Sequence, residues 1–184
     1  MAVPLPCGRL QRWLLLIAAA VVLLAVAGTA WDAAHARQTA AAAGYDFPAL
    51  TGRVVDQADL LPPADEAALT KQSAALERRT GHQFVIATVA GLGGHRIEDY
   101  SLRLANHWGI GRKGIDDGVV LLVAPRERKV RIEVGGGLEK TLTDAEAGHI
   151  IDTDVLPFFR KGEMAKGIVR GATAIATELS ETNT

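Results

Sequence analysis

Cysteine is almost absent, and the one present, Cys7, precedes the long apolar run of the N-terminus. That position excludes the lipid-modified cysteine of a mature lipoprotein. The rest of the chain has no thiol, which excludes disulfide staples, thiolate nucleophiles and Cys-ligated zinc. Stability must therefore come from a packed core. A basic excess is missing too: 20 Lys and Arg stand against 21 Asp and Glu, a formal net charge of −1, so there is no electrostatic footprint for nucleic acid. His82, His95, His107 and His149 form no HExxH pair and no zinc-like cluster, and each reads as a surface residue. Ser73 and Ser101 fall in helical stretches without a Gly-x-Ser-x-Gly elbow, so serine-hydrolase chemistry has no local support.

Long apolar character is concentrated at the start. Arg9 and Arg12 form a positive region, and Trp13 to Ala30 then run for 18 residues without a charged side chain. That length lies between a secretory apolar region and a membrane span of about 20 residues. Ala34-His35-Ala36 puts small residues at the subsites a signal peptidase reads and favours cleavage after Ala36; an uncleaved anchor is the alternative. In either case the basic flank stays cytoplasmic and the remainder is exported, to the periplasm or the extracytoplasmic membrane face. The expected organisation is a signal peptide or signal-anchor helix over 1–36, an Ala-rich linker over 37–47, and one domain over 48–181.

Within that domain Val54-Val55-Asp56 reads as a short strand. Leu60-Leu61-Pro62-Pro63 opens a helix to about Thr80, with Asp65 and Glu66 in its first turn, Arg78 and Arg79 in its last, and Gly81 as its cap. Residues 83–89 are rich in β-branched and aromatic side chains and predict a buried strand. Ile97, Tyr100, Leu104 and Trp108 share one helical face, with Asp99 and Arg103 paired outside it. Val119 to Ala124 has the uninterrupted apolar texture of a central strand, and Lys129 to Val134 alternates as a half-exposed one; Pro125 to Arg128 joins them as a hairpin. Thr143-Asp144-Ala145-Glu146 has capping-box spacing, so a helix starts there and runs until Pro157 interrupts it. Asp152 and Asp154 on that helix read as solvated. Met164, Ile168, Ile175 and Leu179 line a last amphipathic helix. Helices alternating with strands, plus one hairpin, imply an α/β fold: a three-layer α/β/α sandwich on a small mixed sheet.

Few motifs carry chemistry. Gly109-Ile110-Gly111-Arg112-Lys113-Gly114 matches a dinucleotide-binding string, but it leaves a helix and enters a strand. A phosphate needs the N–H groups at the start of a helix, so a helix cap is the better reading and no nucleotide is expected. Asp116-Asp117-Gly118 lies at the entrance to the central strand, where either turn chemistry or oxygen ligation of a hard cation explains it. Asp56 ends the first strand, and any cation site joining it to that pair would be assembled from distant segments.

Gly52-Arg53-Val54-Val55-Asp56-Gln57-Ala58 with Leu60-Leu61, then Ile97-Glu98-Asp99-Tyr100, Asn106-His107-Trp108-Gly109-Ile110-Gly111, Asp117-Gly118-Val119, Arg128-Lys129-Val130-Arg131-Ile132-Glu133-Val134-Gly135 and Leu142-Thr143-Asp144 form an ordered set. Over roughly residues 50 to 180 the chain resembles a TPM domain. The resemblance implies an exported or membrane-anchored α/β/α domain of bacterial envelopes or the thylakoid lumen. Plant relatives are tied to photosystem II repair and described as acid phosphatases, and some bacterial relatives bind calcium through loop carboxylates. By that resemblance Asp56, Asp116 and Asp117 are the candidate metal residues, with Ca2+ the expected cation. Many bacterial relatives carry a transmembrane helix and a Gly-rich tail after the domain, which this sequence does not show.

Two readings follow. One is an envelope module that binds a cation and a membrane protein complex, assembling or maintaining that complex. The other is a metal-assisted phosphomonoesterase, an acid phosphatase in which a bound cation polarises a phosphate oxygen, with Arg112 and Lys113 as possible phosphate donors.

Overall fold

The apolar runs become the sheet. In the computed structural model, which describes residues 44–181, β1 (Val54–Asp56), β2 (Gln83–Thr88), β3 (Gly118–Ala124) and β4 (Lys129–Val134) pair in that order. The first three are parallel, and β4 returns antiparallel to β3 through the expected hairpin. Every residue of β3 is buried, as an uninterrupted apolar strand requires, because helices cover both of its faces. The signal or anchor segment, Cys7 and residues 37–43 of the linker lie outside the described residues.

Alternation along the strands sorts the core in two. Phe84, Ile86, Val119, Leu121, Val123 and Ile132 face α1 (Pro63–Thr80), α3 (Asp144–Ile150) and α5 (Met164–Glu181). Val85, Ala87, Val120, Leu122 and Ala124 face α2 (Ile97–Trp108). The steps from β1 to β2 and from β2 to β3 go the same way across the sheet, yet α1 and α2 lie on opposite faces, so the two crossovers have opposite hands. Two crossovers of the usual single hand would stack both helices on one face. Opposite hands are what make three layers out of four strands.

Helix ends follow their sequence signals. Gly81 adopts a left-handed conformation and its N–H reaches the Glu77 carbonyl. Thr143 and Glu146 form the reciprocal capping box. Four expectations need correction. Pro157 does not interrupt a continuous α-helix: α3 ends at Ile150, a π-helical turn spans Ile151–Val155, and Pro157 lies in the first turn of the short α4 (Leu156–Phe159), where its missing N–H costs little. Asp154 is not simply solvated, since Arg170 reaches its carboxylate at 3.2 Å. Arg103 does not pair with Asp99; its guanidinium lies over the Tyr45 ring, 5.2 Å from the centroid, a contact the helix period cannot reveal. Residues 44–47, read as linker, instead lie on α2: Tyr45 stacks on His95, Phe47 meets Tyr100 edge-on, and the Tyr100 hydroxyl donates to the Asp46 carbonyl. Among the described residues no helix is long and apolar enough to cross a membrane.

Candidate functional site

Parallel topology decides how the three candidate aspartates stand. Asp56 ends β1 and is in register with Thr88, the last residue of β2, whereas Gly118, just after Asp116 and Asp117, is in register with Gln83, the first. Asp56 therefore lies at the C-terminal edge of the parallel strands and the Asp116-Asp117 pair at the N-terminal edge. Five residue steps along β2, from Gln83 to Thr88, separate them, roughly 16 Å of strand. The three do not form one donor set. Asp56 is also engaged locally: its carboxylate accepts from the Leu61 N–H at 2.8 Å and from the Thr88 hydroxyl, which shapes the entry to α1.

Asp117 is 1% exposed. Its Oδ1 accepts from the Arg112 N–H at 2.8 Å and its Oδ2 from Arg112 Nε at 2.7 Å, with Nη2 of the same guanidinium in ion-pair contact at 2.5 Å and His82 Nδ1 at 3.5 Å. Burial pushes its pKa up, but the hydrogen bonds from Arg112 and His82 outweigh burial and hold it below the usual carboxylate range. The Arg112 guanidinium also lies against Gly81, the cap of α1, and Gly111 N–H donates to Gln83 Oε1 at 2.8 Å. Asp117 and Arg112 together latch the α2–β3 loop onto the α1–β2 turn. Both carboxylate oxygens are thereby occupied by cationic or N–H donors, which is the chemistry of a structural ion pair. His82 is correspondingly half-buried at the latch rather than on the surface, its side chain 17% exposed.

Asp116, one residue earlier, is exposed and in the left-handed region at φ 55°, which Asp tolerates better than most residues. Its loop presses backbone to backbone on the segment after β4. A Cβ at Gly135 would stand 2.1 Å from the Asp116 carbonyl oxygen, and one at Gly137 1.9 Å from that of Ile115. The glycine run at 135–137 thus allows a close backbone approach; Gly135 and Gly137 donate to the Gly118 and Asp116 carbonyls at 2.8 and 3.1 Å. Beside this junction lies a pocket of about 300 Å3 whose polar lining includes Asp116, Glu133, Glu139 and Asn106. Glu133 is held by Arg131 at 2.7 Å and by the Ser101 hydroxyl at 2.6 Å. Asp116 and Glu139 are the carboxylates left to a ligand. Their hard oxygen donors suit a cation such as Ca2+, although among the described residues no group of three His, Cys, Asp or Glu could hold a metal by itself.

The latch and the half-buried Ser101–Glu133–Arg131 network were not legible as sites. Ser101 falls on a helix face toward β4, and only the β3–β4 hairpin brings Glu133 and Arg131 there. The one sequence clue was the charged alternation of β4.

Comparison with known proteins agrees with this architecture. The TPM domain family matches residues 54–178. Among solved structures, the N-terminal domain of a P. gingivalis protein, determined in solution by NMR, is 32% identical with a TM-score of 0.67, over 72% of this chain and 84% of that one. The BA42 protein of the psychrophilic bacterium Bizionia argentinensis is 16% identical with a TM-score of 0.57, over 66% and 82%. The N-terminal domain of a Corynebacterium glutamicum protein is 14% identical with a TM-score of 0.56, over 74% and 86%. The last two are similar in fold. No curated protein matches the chain.

Proposed function

The chain belongs to the TPM domain family, and from that premise we propose that it is an exported interaction module, held at the extracytoplasmic face of a membrane, that binds a cation and helps to assemble or maintain a membrane protein complex. The observation that carries this reading is the division of labour in the Asp116-Asp117 pair. Asp117 is consumed by Arg112 and His82, which leaves Asp116, with Glu139 across the small pocket, to take a hard cation. Backbone carbonyls and water would complete its coordination, as is usual for calcium. A cation bound there would tie the α2–β3 loop to the segment after β4, firming a surface that a partner could read. A phosphomonoesterase that used Asp117 as ligand or nucleophile would first have to break the latch, so the geometry favours binding over turnover.

Calorimetric titration of the protein with calcium and magnesium, run beside a phosphomonoester hydrolysis assay on the metal-loaded sample, tests the proposal. The expected result is calcium binding that Asp116→Asn abolishes and Asp56→Asn leaves intact, without hydrolysis. Absence of binding would remove the cation from the proposal. Turnover that Asp116→Asn destroys would replace it with the phosphatase reading, and recovery of the protein from the cytoplasmic fraction would overturn export.

A further inference from the structure

At the C-terminal edge of the parallel strands, opposite the Asp116 pocket, the hairpin turn and the α4–α5 loop enclose a cleft of about 640 Å3. Arg128, at φ 55° in the turn, Lys129 at the start of β4 and Arg160 after α4 stand around it, all exposed. Leu156, Phe159 and Met164 give it an apolar floor. Phe159 is seated there because residue 167 is glycine: a Cβ at that position would stand 2.7 Å from the ring. None of the three cations has an ion-pair or hydrogen-bonding side-chain partner among the described residues, and Arg126 and Lys161 add exposed positive charge on either side.

Two acids lie nearby. Glu127 turns inward, its Oε1 accepting from the Leu92 N–H at 3.0 Å while its Oε2 is buried without a partner, and Glu163 is taken by Lys166 at 2.6 Å, so the cations still outnumber the carboxylates. Asp59 follows β1, two strand positions from β3. An edge with this excess of free cations belongs to a chain of net charge −1, so composition alone does not account for it. The described chain also begins at this edge. His95 Nε2 is 3.3 Å from the Gly44 carbonyl, and the same loop is bonded to the hairpin turn through Leu92 and Glu127. Gly44 is thus at the same end of the strands as the cleft, on the α2 side of the sheet.

We propose that this edge docks on an anionic phospholipid surface, with a lipid phosphate between Arg128, Lys129 and Arg160 and the adjoining glycerol and upper acyl chain over Leu156, Phe159 and Met164. Cations at the rim and an apolar floor match an amphiphilic anion better than a free one. The proposal rests on the membrane-facing placement proposed above. Docking the C-terminal edge leaves the Asp116 pocket, at the other end of the strands, open to a partner.

Lysine acetylation footprinting of the full chain on vesicles of phosphatidylglycerol and phosphatidylethanolamine, with phosphatidylcholine vesicles as reference, reads the docked edge directly. Lys129 and Lys161 are expected to be protected on the anionic vesicles only, and Lys113 and Lys140, away from this edge, on neither. Flotation compares affinities: each cation near an anionic surface is worth about fivefold, so Arg128→Gln with Lys129→Gln and Arg160→Gln should lower the preference for anionic vesicles on the order of 100-fold. Added salt should weaken it in the same direction. Removing Lys71, Lys113 and Lys140 as glutamines takes away as much charge elsewhere and should leave the preference unchanged. Equal binding to both vesicle types, or protection unaffected by the cleft substitutions, overturns the proposal. Protection of Lys129 by inorganic phosphate without any vesicle preference also overturns it, in favour of a soluble-anion site. An exported protein whose Lys129 stays unprotected defeats the docking edge alone, whereas a protein retained in the cytoplasm defeats the reading beneath it.

Discussion

Replacing Asp117 by asparagine should lower stability and do little else. The side chain is almost wholly buried and accepts two hydrogen bonds from Arg112, one from its backbone N–H and one from guanidinium Nε, with Nη2 completing the ion pair at 2.5 Å. An amide keeps one acceptor oxygen but turns its NH2 toward donors, so charge-assisted bonds are lost and at least one donor faces another. Removing one member of a buried ion pair costs about 3–5 kcal/mol when the partner charge is stranded. Here the Arg112 side chain is 49% exposed and can turn into water, which reduces the expected loss to about 2–3 kcal/mol. For a domain of this size that is roughly 5–10 °C in Tm. The readouts are equilibrium denaturation and a thermal scan at neutral pH. The dependence on pH is the sharper check. The folded-state pKa of Asp117 is lowered, so its contribution is complete above the unfolded carboxylate pKa of about 3.9 and disappears as pH falls through the folded value. Asparagine does not titrate, so the stability gap between wild type and variant should be constant from neutral pH to about 5 and close in stronger acid. A variant as stable as wild type, or a gap that does not change on acidification, would refute the latch.

Two further outcomes test the packing. Gly135→Ala places a methyl 2.1 Å from the Asp116 carbonyl oxygen, a backbone atom that cannot swing aside, and should cost about 3 kcal/mol or more, seen as a large fall in the denaturation midpoint; a midpoint within error of wild type would show that the loop junction yields easily. Burial, with the Asp46 and Glu127 carboxylates adding to it, pushes the Tyr100 phenol up to about 12. Unfolded tyrosine ionises near about 10, so the unfolded state loses that proton first and stability should decline as pH rises above 10, an effect absent in Tyr100→Phe and measurable by phenolate absorbance during denaturation.

Local sequence determined the elements. β3 is legible because seven consecutive small or apolar residues suit a strand covered on both sides, α2 because its apolar residues repeat every three or four, and the start of α3 because Thr143 and Glu146 satisfy each other's backbone. These are interactions between near neighbours, and their spacing survives in one dimension. The end of α3 was less legible, since a π-helical turn before Pro157 depends on packing against α5 rather than on the proline alone. The candidate site depended still more on tertiary structure. Asp56, Asp116 and Asp117 look alike as loop carboxylates, yet strand direction sends Asp56 to one edge and the pair to the other, and the turn of a single residue gives Asp117 to Arg112 while leaving Asp116 exposed. Likewise Arg128, Lys129 and Arg160 meet around one cleft because the hairpin and α4 end at the same edge of the sheet. A residue type states what chemistry is possible; whether its charge is spent or free depends on which distant group the fold places beside it.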